Sequence, residues 1–445
     1  MSELPVGWVK ATLSEVGHIV TGKTPDTKRG EFYGGNFPFI RPGDLNQPKD
    51  IFETETCLTE LGAKQIPTIP EGSVVVTCIG NLGKVGLTTK PSATNQQINS
   101  IIPFHGVDPR FLFHYAKILR LWLEENSSAT TIAIVNKGTF SEAPILIPPK
   151  QEQKRIAQKL DALLAQVDTL KARIDAIPAL LKRFRSSIVE SATRGSLTSD
   201  WRTLNSTTDW VKTVIGELLK EKPRNGYSPK PVDYETKTRS LSLSATTSGK
   251  FRPEFSKFIA ETIPSGSHLW LEPGDILIQR ANTLEYVGVS ALFDGQTGNF
   301  IYPDLMMKCR AKPSVAPAFL QLVLNSKSVR KYFRDNATGT AGNMPKINQH
   351  TVVSAPVVLP MIEEQTEIVR RVEQLFAYAD QLEAKVAAAK QRIDALTQSL
   401  LAKAFRGELV PQEPSDEPAS VLLERIRTQR AAMPKPKRGR KAATS

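Results

Sequence analysis

A chain of 445 residues, 40% hydrophobic and 23% charged, is too long for one ordinary core and reads as two or three domains. Lys plus Arg outnumber Asp plus Glu by 58 to 45, and the resulting net charge of +13 favours a polyanionic partner through phosphate contacts. No run of about 18 apolar residues and no apolar signal core is present. Cys57, Cys78 and Cys309 stand far apart without CxxC spacing, so the sequence points to a cytoplasmic protein with neither a disulfide framework nor a zinc site.

Near the N-terminus, Gly17-His18-Ile19-Val20-Thr21-Gly22-Lys23-Thr24 fits the phosphate-loop pattern GxxxxGK[ST]. That pattern holds phosphates only when a helix begins at its Lys-Thr, so that backbone amides and the helix dipole face the anion. Pro25 follows at once, then Asp-Thr-Lys-Arg-Gly, and no strand ending in acidic residues is there to hold magnesium. The segment is expected to be a polar loop, and an ATPase reading rests on nothing else. Farther along, a turn ending at Gly72 leads into a strand at Val74-Val75-Val76. Val107-Asp-Pro-Arg-Phe-Leu112 opens an amphipathic helix, and a strand-like ILIPP follows Ala143-Pro144.

From Pro149 onward a long helix is expected. Ile156, Leu160, Leu163, Val167, Leu170, Ile174, Ile177, Leu181, Phe184 and Ile188 recur at alternating spacings of four and three, a coiled-coil seam that continues past a kink at Pro178. The whole pattern is then written again. Asp209-Trp-Val-Lys212 repeats Gly7-Trp-Val-Lys10, and Ile276-Leu277-Ile278 repeats the valine strand. Val315-Ala-Pro-Ala-Phe-Leu320 repeats the helix start, and VVLPM after Ala355-Pro356 repeats the last strand. After Pro360 a second seam runs through Ile368, Val372, Leu375, Ala379, Leu382, Val386, Ala389, Ile393, Leu396 and Leu400. Glu152-Gln153 and Glu364-Gln365 occupy matching places, and the offset grows from 202 to 212 through loop insertions.

A duplicated chain of this kind is an α+β protein: two globular domains separated by two long antiparallel coiled-coil helices, related by a pseudo-twofold repeat. The boundaries read as a first domain at 1–150, a helix at 151–195, a linker at 196–209, a second domain at 210–360, a second helix at 361–405, and a C-terminal segment at 406–445 with a basic tail. That tail is a solubilising run or a loose grip on phosphates. A helix of about 40 residues is roughly 60 Å long, a ruler between the domains. One position outside the seams, Leu164 and Phe376 are equivalent and form a second apolar stripe with Ala157 and Val369. Each stripe either packs on its own domain or docks one of two identical partner subunits.

The chain resembles the specificity subunits of type I restriction–modification enzymes, and among them the enterobacterial type IA members. The resemblance lies in Leu4-Pro-Val-Gly-Trp8, Thr21-Gly-Lys-Thr-Pro25, Ala192-Thr-Arg-Gly195 through Trp201-Arg202, Ile368 to Tyr378, and Leu396 through Phe405-Arg406-Gly407-Glu-Leu409. It implies two target-recognition domains, each reading one half of an asymmetric bipartite site in double-stranded DNA. It also implies helices that bind two modification (methyltransferase) subunits, and a complex completed by restriction subunits. S-adenosylmethionine, ATP and magnesium are then expected in those partners and no cofactor in this chain, which is expected to be non-catalytic. The alternative from another class is a duplicated coiled-coil scaffold that joins proteins without reading DNA.

Candidate DNA contacts can be named from side-chain chemistry: Arg and Lys suit guanine edges and phosphates, Asn and Gln suit adenine. In the first domain they are Lys23, Lys28, Arg29, Arg41, Lys84, Asn136 and Lys137, with Asn95, Gln96 and Gln97 as base readers. In the second they are Arg239, Lys250, Arg252, Arg280, Asn282, Asn343 and Lys346. Asp233, Glu235 and Lys237 lie too close together for a metal-dependent nuclease core, and the five histidines are scattered without metal-ligand spacing.

Overall fold

The computed structural model describes residues 4–46, 49–128, 132–207, 209–339 and 344–432. Asn343 and the basic tail lie outside them. The chain divides into two compact units, Met1–Arg173 with Ala389–Ser445, and Ile174–Ala388. Each unit therefore owns one half of each long helix. Those helices are Lys150–Thr193, unbroken through Pro178, and Ile362–Phe405. Among the described residues no helix is long and apolar enough to cross a membrane.

The first unit opens with a two-stranded ribbon that pairs Val9–Thr12 with Pro144–Ile147, bringing both ends of the domain to the base of the helix. Its main sheet has five strands in the order Gly17–Thr21, Ile98–Pro103, Val74–Thr77, Val85–Thr88 and Lys49–Ile51, with only the last pair parallel. Val74, Val75 and Val76 are all fully buried, which is why this strand reads as a continuous β-branched run instead of an alternation. The turn before it needs Gly72, whose φ of 76° is closed to β-branched side chains. The helix Pro109–Ala116 starts with Asp108 accepting from the Phe111 amide and Pro at its first turn, and packs Phe111 and Leu112 into the core. A second sheet orders Cys57–Leu58, Tyr33–Ile40, Ser92–Thr94 and Thr68–Ile69.

The second unit repeats the plan. Its ribbon pairs Val211–Val214 with Pro356–Leu359, and its main sheet orders Arg224–Asn225, Met306–Arg310, Asp275–Gln279 and Ser290–Leu292. The helix Pro317–Leu324 again supplies a phenylalanine and a leucine, Phe319 and Leu320, to the core. Gly274 matches Gly72 with φ 94°. Another four-stranded sheet, Pro231–Val232, Ser256–Ile259, Thr238–Leu241 and Phe300–Ile301, completes it.

Within each unit the helix halves run antiparallel. Lys171 meets Asp394 at 3.3 Å in the first, and Arg185 meets Asp380 at 2.6 Å in the second. The seam is deepest where a helix also lies on its domain: Ile156 and Leu160 are fully buried in the first unit, Ile368 and Val372 in the second. Toward the end of the second helix the buried face departs from the strict seam. Leu396 is 45% exposed, while Leu401, Ala404 and Phe405 are buried. An α-helix of 3.6 residues per turn drifts against a 3.5-residue repeat, and here the drift carries Phe405 onto Phe111 and Tyr115, with ring centroids 5.7 and 4.8 Å away.

Two segments between and after the helices are more ordered than the sequence suggests. The stretch read as a linker holds a 3-10 turn, Ser196–Thr198, and a helix, Ser199–Asn205. After the second long helix a further helix, Ala419–Ala432, buries Ala419, Leu422, Leu423 and Ile426 against the first unit. There Arg427 pairs with Glu15 at 2.8 Å and the Arg430 guanidinium stacks over Phe104.

Candidate DNA-reading surfaces

The antiparallel register puts the Thr21 end, the Thr77 end and the Ile98 start of three neighbouring strands at one end of the first unit's main sheet. The loops leaving that end are bound to one another. The Lys23 amide donates to Thr94 O at 2.9 Å and Thr24 Oγ1 to Gln96 Oε1 at 2.5 Å, which staples the Lys23 loop to the 95–97 turn. Gly22 is required at this crossing, because a Cβ there would lie 2.2 Å from Asn95 O. The 78–80 loop joins through Cys78 N to Gln97 O at 2.7 Å, and the 133–135 segment through Val135 N to Cys78 O at 2.8 Å. Arg41 belongs to the same rim, since the Asn95 amide donates to Ile40 O, and Lys84 closes the hairpin with Thr77.

This rim gathers Lys23, Arg41, Lys84, Asn95, Gln96, Gln97, Asn136 and Lys137, but not all are free to reach outward. Lys23, Gln96 and Lys137 are exposed, and the two lysines make no ion pair among the described residues. Asn95 is 8% exposed and spends its side chain on Gln97, with Nδ2 donating to Oε1 at 3.0 Å and Oδ1 accepting the Gln97 amide. Asn136 caps the helix Lys137–Ser141 by accepting from Thr139 N. Lys84 Nζ donates to Pro42 O and to Asn46 Oδ1 at 2.7 Å, and Arg41 pairs with Glu55 at 3.2 Å. Arg29 is held by Glu31 and over the Phe32 ring, and Lys28 is exposed on the preceding turn.

The second unit builds the equivalent surface. Arg280 leaves the end of Asp275–Gln279, its amide donating to Leu305 O and its carbonyl accepting from Ile347 N. Ala281 bridges Lys346 just as Ile79 bridges Ile134 in the first unit, and Lys346 is bonded both ways to Thr338. Arg280, Asn282 and Lys346 thus converge. Asn282 donates from Nδ2 to Gln279 Oε1 at 2.7 Å, and Arg280 Nη1 donates to Asp304 O at 3.3 Å. Lys346 is exposed. Three candidates point elsewhere: Arg239 lies over the Phe258 ring at 4.6 Å, Lys250 pairs with Asp380 of the long helix at 3.2 Å, and Arg252 is exposed on a separate turn. The bridge between the 79–82 and 132–136 segments, and its twin in the second unit, has no local signal in the sequence, since it joins residues more than 50 positions apart.

The segment matching the phosphate-loop pattern is a strand over Gly17–Thr21 followed by a loop, with the next helical turn only at Gly30–Phe32. Among the described residues no helix begins at Lys23 or Thr24.

Where the first domain meets its helix, a cleft of about 530 Å³ is lined by Asp50, Phe52, Arg110, His114, Lys117, Asp161, Leu164 and neighbours. His114 Nδ1 faces the Lys117 ammonium at 3.2 Å and Nε2 faces Asp161 at 2.8 Å, the pattern of a neutral ring that accepts at one nitrogen and donates at the other. Burial first, and the Lys117 charge second, hold its pKa down at about 4. The unfolded chain takes up this proton near pH 6.5 and the folded one only near 4, so the stabilisation is full above pH 6.5 and is lost as pH falls toward 4. Between pH 7 and 4.5 this group should remove about 2–3 kcal/mol from the first unit. Urea denaturation of wild type and His114→Gln at the two pH values checks it, the variant losing that slope. Leu164, at the edge of the cleft, is half-buried against the first unit's core. Phe376 is half-buried against the second, with the Arg185 guanidinium 5.6 Å from its ring.

Comparison with known proteins places this architecture. The family model for the type I restriction modification DNA specificity domain matches residues 5–179. The EcoKI specificity subunit of the type I restriction enzyme from Escherichia coli K12 is 33% identical over 99% of both chains. The chain belongs to the type I restriction–modification specificity subunits. The StySPI specificity subunit of Salmonella potsdam is 31% identical over 99% of both chains, so the resemblance to the enterobacterial members holds along the whole length. A chain from a type I R-M system solved for its complex assembly and conformational transition shares the fold, with a TM-score of 0.65 at 17% identity over 92% of this chain and 100% of that one. As a specificity subunit, this chain is a DNA sequence-reading component of a restriction–modification complex.

Proposed function

We propose that this subunit reads an asymmetric bipartite DNA site, one half-site per unit, while its paired helices carry two methyltransferase subunits and the restriction subunits join the assembled complex. It has no chemistry of its own in this reading. S-adenosylmethionine, ATP and magnesium belong to the partners, and the complex works in the cytoplasm. The observation that carries the reading is the repeated rim. Both units build the same bridge between the same two loops at the same end of the sheet, but at corresponding positions the first carries Cys78, Gly80 and Ile134 where the second carries Arg280, Asn282 and Lys346. Two like scaffolds with unlike contact residues are what an asymmetric site requires.

Fluorescence anisotropy on the complex with its methyltransferase subunits tests it. Arg280→Ala or Lys346→Ala should weaken binding to the cognate duplex by about 1–3 kcal/mol if a base is contacted, and should relax discrimination in one half-site only. Equal weakening on every duplex would mark a phosphate contact. Binding by the wild-type complex that shows no sequence preference would sink the reading in favour of the scaffold.

A further inference from the structure

The duplication preserves one buried polar device that DNA contact does not explain. In the first turn of each long helix, a glutamate and a glutamine stand side by side: Glu152 and Gln153 are 1% and 0% exposed, Glu364 and Gln365 both 0%. Gln153 Oε1 accepts from the Asp108 amide at 2.8 Å, and its Nε2 donates to Pro148 O at 3.0 Å. Gln365 repeats both bonds, accepting from Ala316 N at 2.8 Å and donating to Pro360 O at 2.9 Å. Glu152 takes the Trp8 indole N–H on both oxygens at 3.1 Å, and Glu364 takes that of Trp210 at 3.0 Å.

Two consecutive helix residues thereby hold three separate segments of their own domain: the start of the ribbon at the tryptophan, the N-terminus of the domain helix at 108 or 316, and the exit from the last strand at 148 or 360. Burying four such side chains has a cost in desolvation that an apolar core would avoid, and what polar pairing supplies in return is direction. Apolar packing tolerates small rotations, whereas hydrogen bonds at 2.8–3.1 Å do not. We infer that Glu152-Gln153 and Glu364-Gln365 are positioning residues that fix the angle of each recognition domain on its own helix, and so fix the length of the unread gap between the half-sites. The lever is sufficient. A domain of 150 residues has a radius of gyration of roughly 15 Å, so a pivot of about 10° at its base moves the far loops by ~3–5 Å. That is about one base-pair step of ~3.4 Å.

This inference rests on the bipartite reading above, and its test separates the two. The complex of the full chain with its methyltransferase subunit is expressed in a methylation-free host, and modified adenines are mapped genome-wide. Wild type should give one gap length. Gln153→Met with Gln365→Met, which keeps volume and removes every glutamine side-chain bond, should add sites with the same two half-sequences and a gap one base pair longer or shorter, at least tenfold above the wild-type frequency. Glu152→Gln, which can still accept from Trp8, should keep the single gap. Should the double methionine variant not assemble, Gln153→Met and Gln365→Met made singly, each freeing one domain only, read the same outcomes. An assembled variant that modifies fewer sites, all with the wild-type gap, overturns the positioning role. A wild-type complex whose modified sites show no two-part motif overturns the bipartite reading itself, and the inference with it.

Discussion

Glu364→Ala should destabilise the second unit by about 3–5 kcal/mol. The carboxylate is fully buried and is shared by three donors. Arg202 Nη1 lies at 2.5 Å, Thr198 Oγ1 at 2.6 Å and Trp210 Nε1 at 3.0 Å. Removing it strands a guanidinium whose side chain is only 25% exposed, together with a hydroxyl and an indole N–H. The repeat supplies its own control. Glu152 is as deeply placed but among the described residues its carboxylate receives only Trp8, while Arg155 pairs with Asp416 at 2.6 Å. Glu152→Ala leaves one neutral donor unsatisfied and should cost about 1–3 kcal/mol. Hydrogen exchange followed by mass spectrometry separates the two, because Glu364→Ala should speed exchange in the ribbon of Val211–Val214 with Pro356–Leu359 and leave the Val9–Thr12 ribbon at its wild-type rate. Equal, small effects from both substitutions would mean that Arg202 is not held by charge.

That contrast shows where reading the sequence stops. The doubling of the chain, the ribbon strands, the valine strand, the domain helices and both long helices are legible because period and punctuation are local. Val74-Val75-Val76 spells out a buried strand, and Asp108-Pro109 and Pro149 each mark the start of a helix. The pairing of Glu152 and Gln153 with Glu364 and Gln365 is legible as a coincidence of position, but apart from Pro148 and Pro360 their partners lie 45 to 166 residues away and only the fold brings them together. The contact residues are harder. Asn95 and Asn136 have the amide chemistry that reads adenine, and the same chemistry bonds a turn and caps a helix, which is where their Oδ1 atoms are engaged. Lys250 has the charge for a phosphate and uses it on Asp380. Charge and side-chain type identify candidates, and the neighbours decide which of them remain available. The helix Ala419–Ala432 has no legible partner either. Its face packs on Gly106 and the first helical turn of the domain, more than 300 residues earlier in the chain.

Two readers on one chain should bind as a linked pair. Once one half-site is engaged, the second meets its half at an effective concentration near the millimolar range, so a duplex carrying both halves should be bound 10²–10⁴-fold more tightly than a duplex carrying either half alone. The gain depends on geometry and disappears when the halves are set at a spacing the helices cannot span. Each half by itself is a modest target, because a rim with few polar side chains free to reach outward offers few base contacts and a mismatched base pair costs only about 1–3 kcal/mol. Discrimination therefore comes from requiring both halves at once.

The most direct test is a genome-wide map of adenine modification made by the wild-type chain with its methyltransferase subunits in a host that otherwise lacks such modification. One asymmetric motif, two different short specified halves around an unspecified gap of fixed length, with sites missing either half left unmodified, is the predicted result. An active complex that modifies a single continuous motif, or two copies of one half-sequence, would contradict the division of reading between two unlike units.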